Sequence, residues 1–138
     1  MFILLFNLML LEEYIKELEN DLKISELELK DYQLKLPGIK HKWAGRCIRH
    51  KLELNDLRKK RDLLKRTLVE KLQEQSPVKL NLPVAERTVE KHSELVELDN
   101  KLKQLELVVE LLEKSEKTLS ATSYDLKNII DIIKLETT

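Results

Sequence analysis

His41, Cys47 and His50 lie close enough along the chain to suggest a metal centre, with Cys47 and His50 three residues apart on one helical face. A zinc site needs about four such ligands. The sequence offers one more histidine, His92, beyond a proline-containing segment, and no second cysteine. No metal is therefore expected. The carboxylates recur at helical spacing with lysines, which is the pattern of a solvated, ion-paired surface rather than of an acid–base pair. The two glycines form neither a phosphate-cradling loop nor a dinucleotide fingerprint. The residues with chemical potential thus predict a protein without catalytic activity and without a cofactor.

The cations are another matter. From Lys40 to Lys71 the chain carries twelve basic residues: Lys40, Lys42, Arg46, Arg49, Lys51, Arg58, Lys59, Lys60, Arg61, Lys65, Arg66 and Lys71. Four acids stand among them, Glu53, Asp56, Asp62 and Glu70, leaving a surplus of eight in a chain whose total charge is zero. The remainder is correspondingly acidic, and such segregation concerns partners rather than fold. A helix turns about 100° per residue, which sets Lys51, Arg58 and Lys65 in one row, with Lys59 and Arg66 one strip further round. A row of unpaired cations repels itself unless an anion answers it, and each nucleic-acid phosphate it neutralises releases condensed counterion. Tyr14, Tyr32, Trp43 and Tyr124 are too few and too scattered to stack successive bases. Sequence-neutral contact with a nucleic-acid backbone is the favoured expectation. The alternative is an internal charge match between this ridge and the acidic helices. It describes a structural coiled-coil adaptor or chaperone-like bundle that binds no nucleic acid.

The elements that must position these residues are helices. In 138 residues, 36% are charged, 4% are aromatic, and there are only 2 Gly and 3 Pro, a composition of elongated, coiled-coil-like helices and an all-α class. Long amphipathic helices with little aromatic bulk bury their stripes against copies or partners, so a homo-oligomer is expected. The single cysteine excludes an internal disulfide and fits a reducing compartment. The apolar opening from Met1 to Leu11 falls short of the roughly 20 residues a membrane span needs, and it lacks a basic flank and a cleavage site. It reads as a small apolar extension over residues 1–8 or an upstream mis-start, and as neither a signal peptide nor a membrane anchor.

Periodicity then predicts a first helix over about Leu10–Leu22. A second begins at Ser25, where Ser25 and Glu28 form a capping-box pattern with Ile24 and Leu29 as a staple, and ends at Pro37-Gly38. A third, over about Ile39–Gln75, has the seam Ile39, Trp43, Cys47, Leu54, Leu57, Leu64, Leu68 and Leu72, interrupted by His50 and Arg61. Residues 9–75 thus form an N-terminal helical part, 76–85 a Pro-containing linker, and 86–138 a C-terminal part. The last opens with a heptad helix, Glu86–Leu119, whose seam positions are Leu95, Leu98, Leu102, Leu105, Val109, Leu112 and Leu119. Ser120–Ser123 weakens it, and a final isoleucine-rich segment with Leu126, Ile129, Ile130, Ile132 and Ile133 suits a subunit contact. A long antiparallel hairpin of the third and fourth helices and a ring of subunits both satisfy these seams.

From Leu11 the pattern Leu-Glu-Glu-x-x-x-Glu-Leu-x-x-Asp-x-x-Ile, followed by Leu27, Pro37 and Lys42-Trp43, resembles the UvsY recombination mediators of T-even-like bacteriophages. Leu64-Lys65-Arg66, following a basic helix, resembles the Leu-Lys-rich motif of that family. The likeness covers most of Met9 to Leu135, residue-specific in the first half and in length and pattern in the second. It implies an all-helical protein that closes into a homo-oligomeric ring of about six or seven subunits. It also implies binding of single-stranded DNA and loading of a RecA-like (UvsX-type) recombinase onto strands coated by the phage single-strand-binding protein. Those steps serve DNA recombination, repair and recombination-dependent replication in the cytoplasm of the bacterial host. Carried onto this chain, Lys65 and Arg66 become phosphate contacts, and Lys51, Arg58, Lys59, Lys60 and Arg61 extend the ridge. Leu105, Val109, Leu112, Leu119, Leu126, Ile129, Ile130 and Ile133 hold the ring together. Where the family often has aromatic residues after its basic motif, this chain has Thr67-Leu68-Val69-Glu70, so no base stacking is implied there.

Overall fold

A computed structural model describes residues 2–137, with side chains from residue 6 onward. The elements are α1 (Phe2–Asp21), a 3-10 turn (Glu26–Glu28), α2 (Leu29–Gln75), α3 (Leu82–Val89) and α4 (Ser93–Thr137). The protein is all-α, and the described residues contain no strand. The backbone of the apolar N-terminal extension continues α1 from Phe2; Phe6 and Met9 are exposed on it, and the side chains of residues 1–5 lie outside those described. No described helix is long and apolar enough to cross a membrane.

Cross-helix contacts fix the directions. Lys51 meets Glu113, Arg58 meets Glu106 and Arg61 meets Asp99, so α2 and α4 form the long antiparallel hairpin. Asp21 meets Lys42, Glu17 meets Arg46 and Tyr14 meets His50, so α1 runs antiparallel to α2 along the same bundle. The main core joins Tyr32, Leu36, Trp43, Cys47 and Leu54 of α2 to the α4 residues Leu102, Leu105, Val108, Val109, Leu112, Leu119 and Leu126. Leu11, Tyr14, Leu18 and Leu22, from α1 and its C-terminal end, cover it. A separate small cluster docks Ala85 and Val89 of α3 on Val69, Leu68 and Leu72.

Three expectations change. The helix break at Pro37-Gly38 is absent, because α2 runs unbroken through Pro37 for 47 residues. Proline in a helix interior costs about 3 kcal/mol, while burial of one large apolar side chain contributes roughly 1.5–3 kcal/mol. Tyr32, Leu36 and Trp43 are all buried on either side of Pro37, so packing outweighs the local penalty. Pro37 and Gln33 are both exposed, so the Gln33 carbonyl, which a proline cannot serve, lies on the solvent side of the helix. Replacing Pro37 by alanine should therefore raise stability by about 1–3 kcal/mol in urea denaturation; a decrease would show that the proline sets the packing of this turn.

The Ser25 capping box is also not formed. Ser25 precedes the 3-10 turn and its side chain makes no capping hydrogen bond, although Ile24 and Leu29 do pack on the core. Finally, the heptad helix starts at Ser93, and Glu86 belongs to α3, whose N-cap Asn81 accepts a hydrogen bond from Val84 N–H at 3.1 Å. It also continues through Ser120–Ser123 to Thr137. The hydroxyls of Ser115 and Thr122 donate to the carbonyls one turn back, at 2.7 and 2.8 Å, so these polar residues are buried without breaking the helix.

Candidate nucleic-acid interface

The two polar interruptions of the α2 seam are satisfied from neighbouring groups. His50 is buried; the Tyr14 hydroxyl lies 2.9 Å from its Nε2 and a Glu53 carboxylate oxygen 3.2 Å from its Nδ1. Both ring nitrogens are thus engaged, Cys47 is buried in the core, and His41 is exposed on another face. Burial pushes the Cys47 thiol above its ordinary value, which leaves it a packing residue. Among the described residues, no three His, Cys, Asp or Glu side chains converge on a metal position.

Sequence reasoning missed a polar pin between α1 and α2, because its partners lie far apart in the chain. Trp43 is fully buried, and its indole N–H donates to Asp21 at 2.8 Å. Lys42 reaches Asp21 at 2.6 Å and Glu17 at 3.1 Å. Arg46 pairs with Glu17 while its guanidinium sits over the Tyr14 and Trp43 rings, 4.9 and 4.8 Å from their centroids. The Lys42-Trp43 pair thus has a structural role. The Arg46 hydrogen bond holds the Glu17 carboxyl below its ordinary 4.5, with Lys42 adding to the effect. A carboxyl lowered by folding stabilises the native state above about pH 4.5, and that contribution disappears as the pH falls through its depressed value. The melting temperature should hold from pH 7 to about 5 and then fall. Glu17→Gln should flatten that acid limb in a circular-dichroism titration; an unchanged limb would mean that the pin adds nothing to acid stability.

The basic ridge divides in two. On the side facing α4, Lys51 is 3.2 Å from Glu113 and Arg58 is 3.4 Å from Glu106. Further along, Arg61 binds Asp99 at 2.6 Å and Glu90 at 3.1 Å, and Lys65 binds Glu90 at 2.7 Å. Residues 51, 58, 61 and 65 share one strip of the helix, and α4 and the α3–α4 turn lay a line of carboxylates along it. With Lys42 and Arg46, six of the twelve cations are paired to acids of other elements. The expected open row of Lys51, Arg58 and Lys65, together with the seam residue Arg61, is therefore a zipper that closes the hairpin. The physical reason is register: antiparallel packing brings the acids of the second half opposite the cations of the first.

Lys59, Lys60 and Arg66 differ. They are exposed on the outward side of α2, and none has a carboxylate at ion-pair distance among the described residues. Arg49 and Lys71 are exposed on the same helix, and Ile48, Leu52 and Leu63 stand between them at 60–64% exposure. Glu53, Asp56, Asp62 and Glu70 are exposed between Arg49 and Lys71 too, so these five exposed cations face four exposed acids and the outward face is basic by a small margin per protomer. The cleft between α2 and α3 is lined by Lys65 and Arg66 but also by Asp62, Glu70 and Glu86, which makes it a poor phosphate pocket.

Of the eight residues expected at subunit contacts, Leu105, Val109, Leu112, Leu119 and Leu126 are buried inside the protomer. The heptad seam is used by the hairpin and α1 rather than by a neighbour. Ile129, Ile130 and Ile133 are half-buried, and Tyr124, Ile132 and Leu135 are exposed near them.

No protein-family profile and no curated protein matches the sequence. Solved structures do. A crystal structure of the bacteriophage T4 recombination mediator protein UvsY superposes with a TM-score of 0.80 at 14% identity, covering 91% of this chain and 98% of that one. A second T4 UvsY crystal lattice gives 0.74 at 14% identity, covering 92% and 97%. The chain has a UvsY-type all-helical fold along almost its whole length.

Proposed function

We propose that this chain is a recombination mediator that binds single-stranded DNA and assists a RecA-like recombinase to displace a single-strand-binding protein. The observation that carries the reading is the UvsY-type fold over 91% of the chain, since the T4 protein of that fold is a recombination mediator. The cations that suit the role are the outward ones, Lys59, Lys60 and Arg66, with Arg49 beside them. They contact phosphate without having to leave a carboxylate first. The work is mechanical and electrostatic, with no catalytic residue, metal or cofactor. A small positive margin per protomer becomes firm binding only when several protomers engage one strand, so self-assembly into a closed ring is part of the proposal. Exposed Ile48, Leu52, Leu63, Tyr124 and Leu135 give such an assembly apolar surface to cover. The test is binding of a fluorescent oligothymidylate across a salt series. Light scattering on the same sample should give multiples of the 16.3 kDa chain.

A second reading has an observation of its own. Half of the basic block is neutralised inside the protomer, which favours a structural bundle that binds no nucleic acid. That reading predicts no salt-sensitive oligonucleotide binding at any concentration where the fold persists.

A further inference from the structure

We propose that Glu90, seconded by Asp99, is a built-in competitor for nucleic-acid phosphate: it holds Arg61 and Lys65 closed, and a bound strand must displace it to recruit them. The inference rests on the proposed nucleic-acid binding and names how that same surface is regulated.

Position supports it first. Glu90 follows α3 directly, in the turn that leads to α4, and its two carboxylate oxygens divide between Lys65 at 2.7 Å and Arg61 at 3.1 Å. Among the described residues it is the one carboxylate that bridges two cations of the ridge between residues 51 and 66. Lys65 is adjacent in sequence to Arg66, which is exposed and has no carboxylate at ion-pair distance among the described residues. A strand lying on Arg66 therefore passes beside a cation that is already occupied. Accessibility is the second support. Glu90 and Lys65 keep 39% and 27% of their side-chain surface, enough for phosphate oxygen to approach without unfolding anything. Part-exposed pairs of this kind are weak and exchange readily for another anion. The third support is architectural. α3 docks through its own cluster of Val69, Ala85 and Val89, apart from the main core, so withdrawal of Glu90 leaves the α1/α2/α4 bundle intact. The Lys65 hydrogen bond keeps the Glu90 carboxyl below its ordinary 4.5, so it remains a charged competitor at neutral pH.

The consequence is that the protomer has two classes of cation. Lys59, Lys60 and Arg66 act at first encounter, and Arg61 and Lys65 join only when a strand, or the crowding of phosphates in an assembled ring, outcompetes the carboxylates.

The experiment measures anisotropy of a labelled oligothymidylate with the full chain over a potassium chloride series. Glu90→Gln should bind about 3- to 10-fold tighter, the gain from not having to break one or two part-exposed ion pairs. Its log–log salt slope should steepen by about 0.7 to 1.4, for one or two further phosphates neutralised on a single strand. Adding Lys65→Ala to Glu90→Gln should abolish most of the gain. Glu94→Gln removes the same charge from the start of α4, four residues along the chain, at an acid that ion-pairs with no cation among the described residues. It should shift affinity less than about 2-fold, as a distant screened charge does. Should Glu90→Gln lose helical signal, Asp99→Asn removes the shorter of the two Arg61 ion pairs, leaves Glu90 as its single partner, and should show the smaller steepening. Wild-type binding with no gain in Glu90→Gln, or an equal gain in Glu94→Gln, overturns the competitor while leaving nucleic-acid binding in place. Absence of binding in wild type and variants alike overturns both.

Discussion

Replacing Lys59, Lys60 and Arg66 together by alanine is expected to weaken oligothymidylate binding about 30- to 100-fold at near-physiological salt. The magnitude follows from counterion release: on a single strand each neutralised phosphate contributes roughly 0.7 to the log–log salt slope, or about 0.6 log unit of affinity near 0.15 M. With three fewer phosphates neutralised at each site, the slope should also flatten by about 2. The side chains are exposed and ion-pair with no carboxylate among the described residues, so folding should be untouched and circular dichroism unchanged. Multivalent engagement magnifies the effect, because every protomer on the strand lacks the same three cations. A variant that binds like the wild type, with the same slope, would move the DNA path off this face. The contrasting triple replacement of Lys51, Arg58 and Arg61 should act on stability before it acts on affinity, since those cations close the hairpin.

Trp43→Ala should cost about 3–5 kcal/mol, a large share of the roughly 5–15 kcal/mol that holds a domain of this size together. Trp43 has no exposed surface, and Tyr14 meets it edge to face with ring centroids 5.6 Å apart. Truncation leaves a cavity between α1 and α2, removes a face from the Arg46 guanidinium, and strips Asp21 of a donor. Those effects share one site and are not additive, so the expected cost stays within the range for a buried aromatic. Urea denaturation followed by circular dichroism measures it without relying on the indole. Trp43→Phe separates the contributions, since it keeps most of the packing and gives up the hydrogen bond to Asp21, at a cost of about 1–2 kcal/mol. If Trp43→Ala unfolds at the wild-type midpoint, α1 does not depend on this pin.

The two expectations bear on different ends of α2. Around Trp43, carboxylates from α1 take Lys42 and Arg46 into a packed cluster. Around Arg66, the helix projects past α1 and only α3 and the start of α4 accompany it, so cations on its outer side stay open to solvent. One continuous helix thus joins a structural half to a half suited to binding. Its passage through Pro37 is what gives α2 the length to do both.

Helix content, the seam of α2 and the heptad of α4 were legible in the residues, because a 3.6-residue period survives whatever packs against it. Trp43, Cys47 and Leu54 on α2, and Leu95, Leu102, Leu105, Val109, Leu112 and Leu119 on α4, are buried where periodicity places them. The segregation of charge was legible too. Helix ends were less so: Pro37 and the Ser120–Ser123 stretch look like breaks locally, and tertiary anchors on both sides override them. Two things were decided by tertiary structure alone. One is which cations stay unpaired, since Glu90, Asp99, Glu106 and Glu113 reach Lys65, Arg61, Arg58 and Lys51 only through the antiparallel register of α2 and α4. The other is that the best heptad closes the protomer's own core rather than a subunit contact. Periodicity states that a face must be covered and a charge must be answered; it carries no information on whether the partner comes from the same chain, because that depends on where the chain turns back.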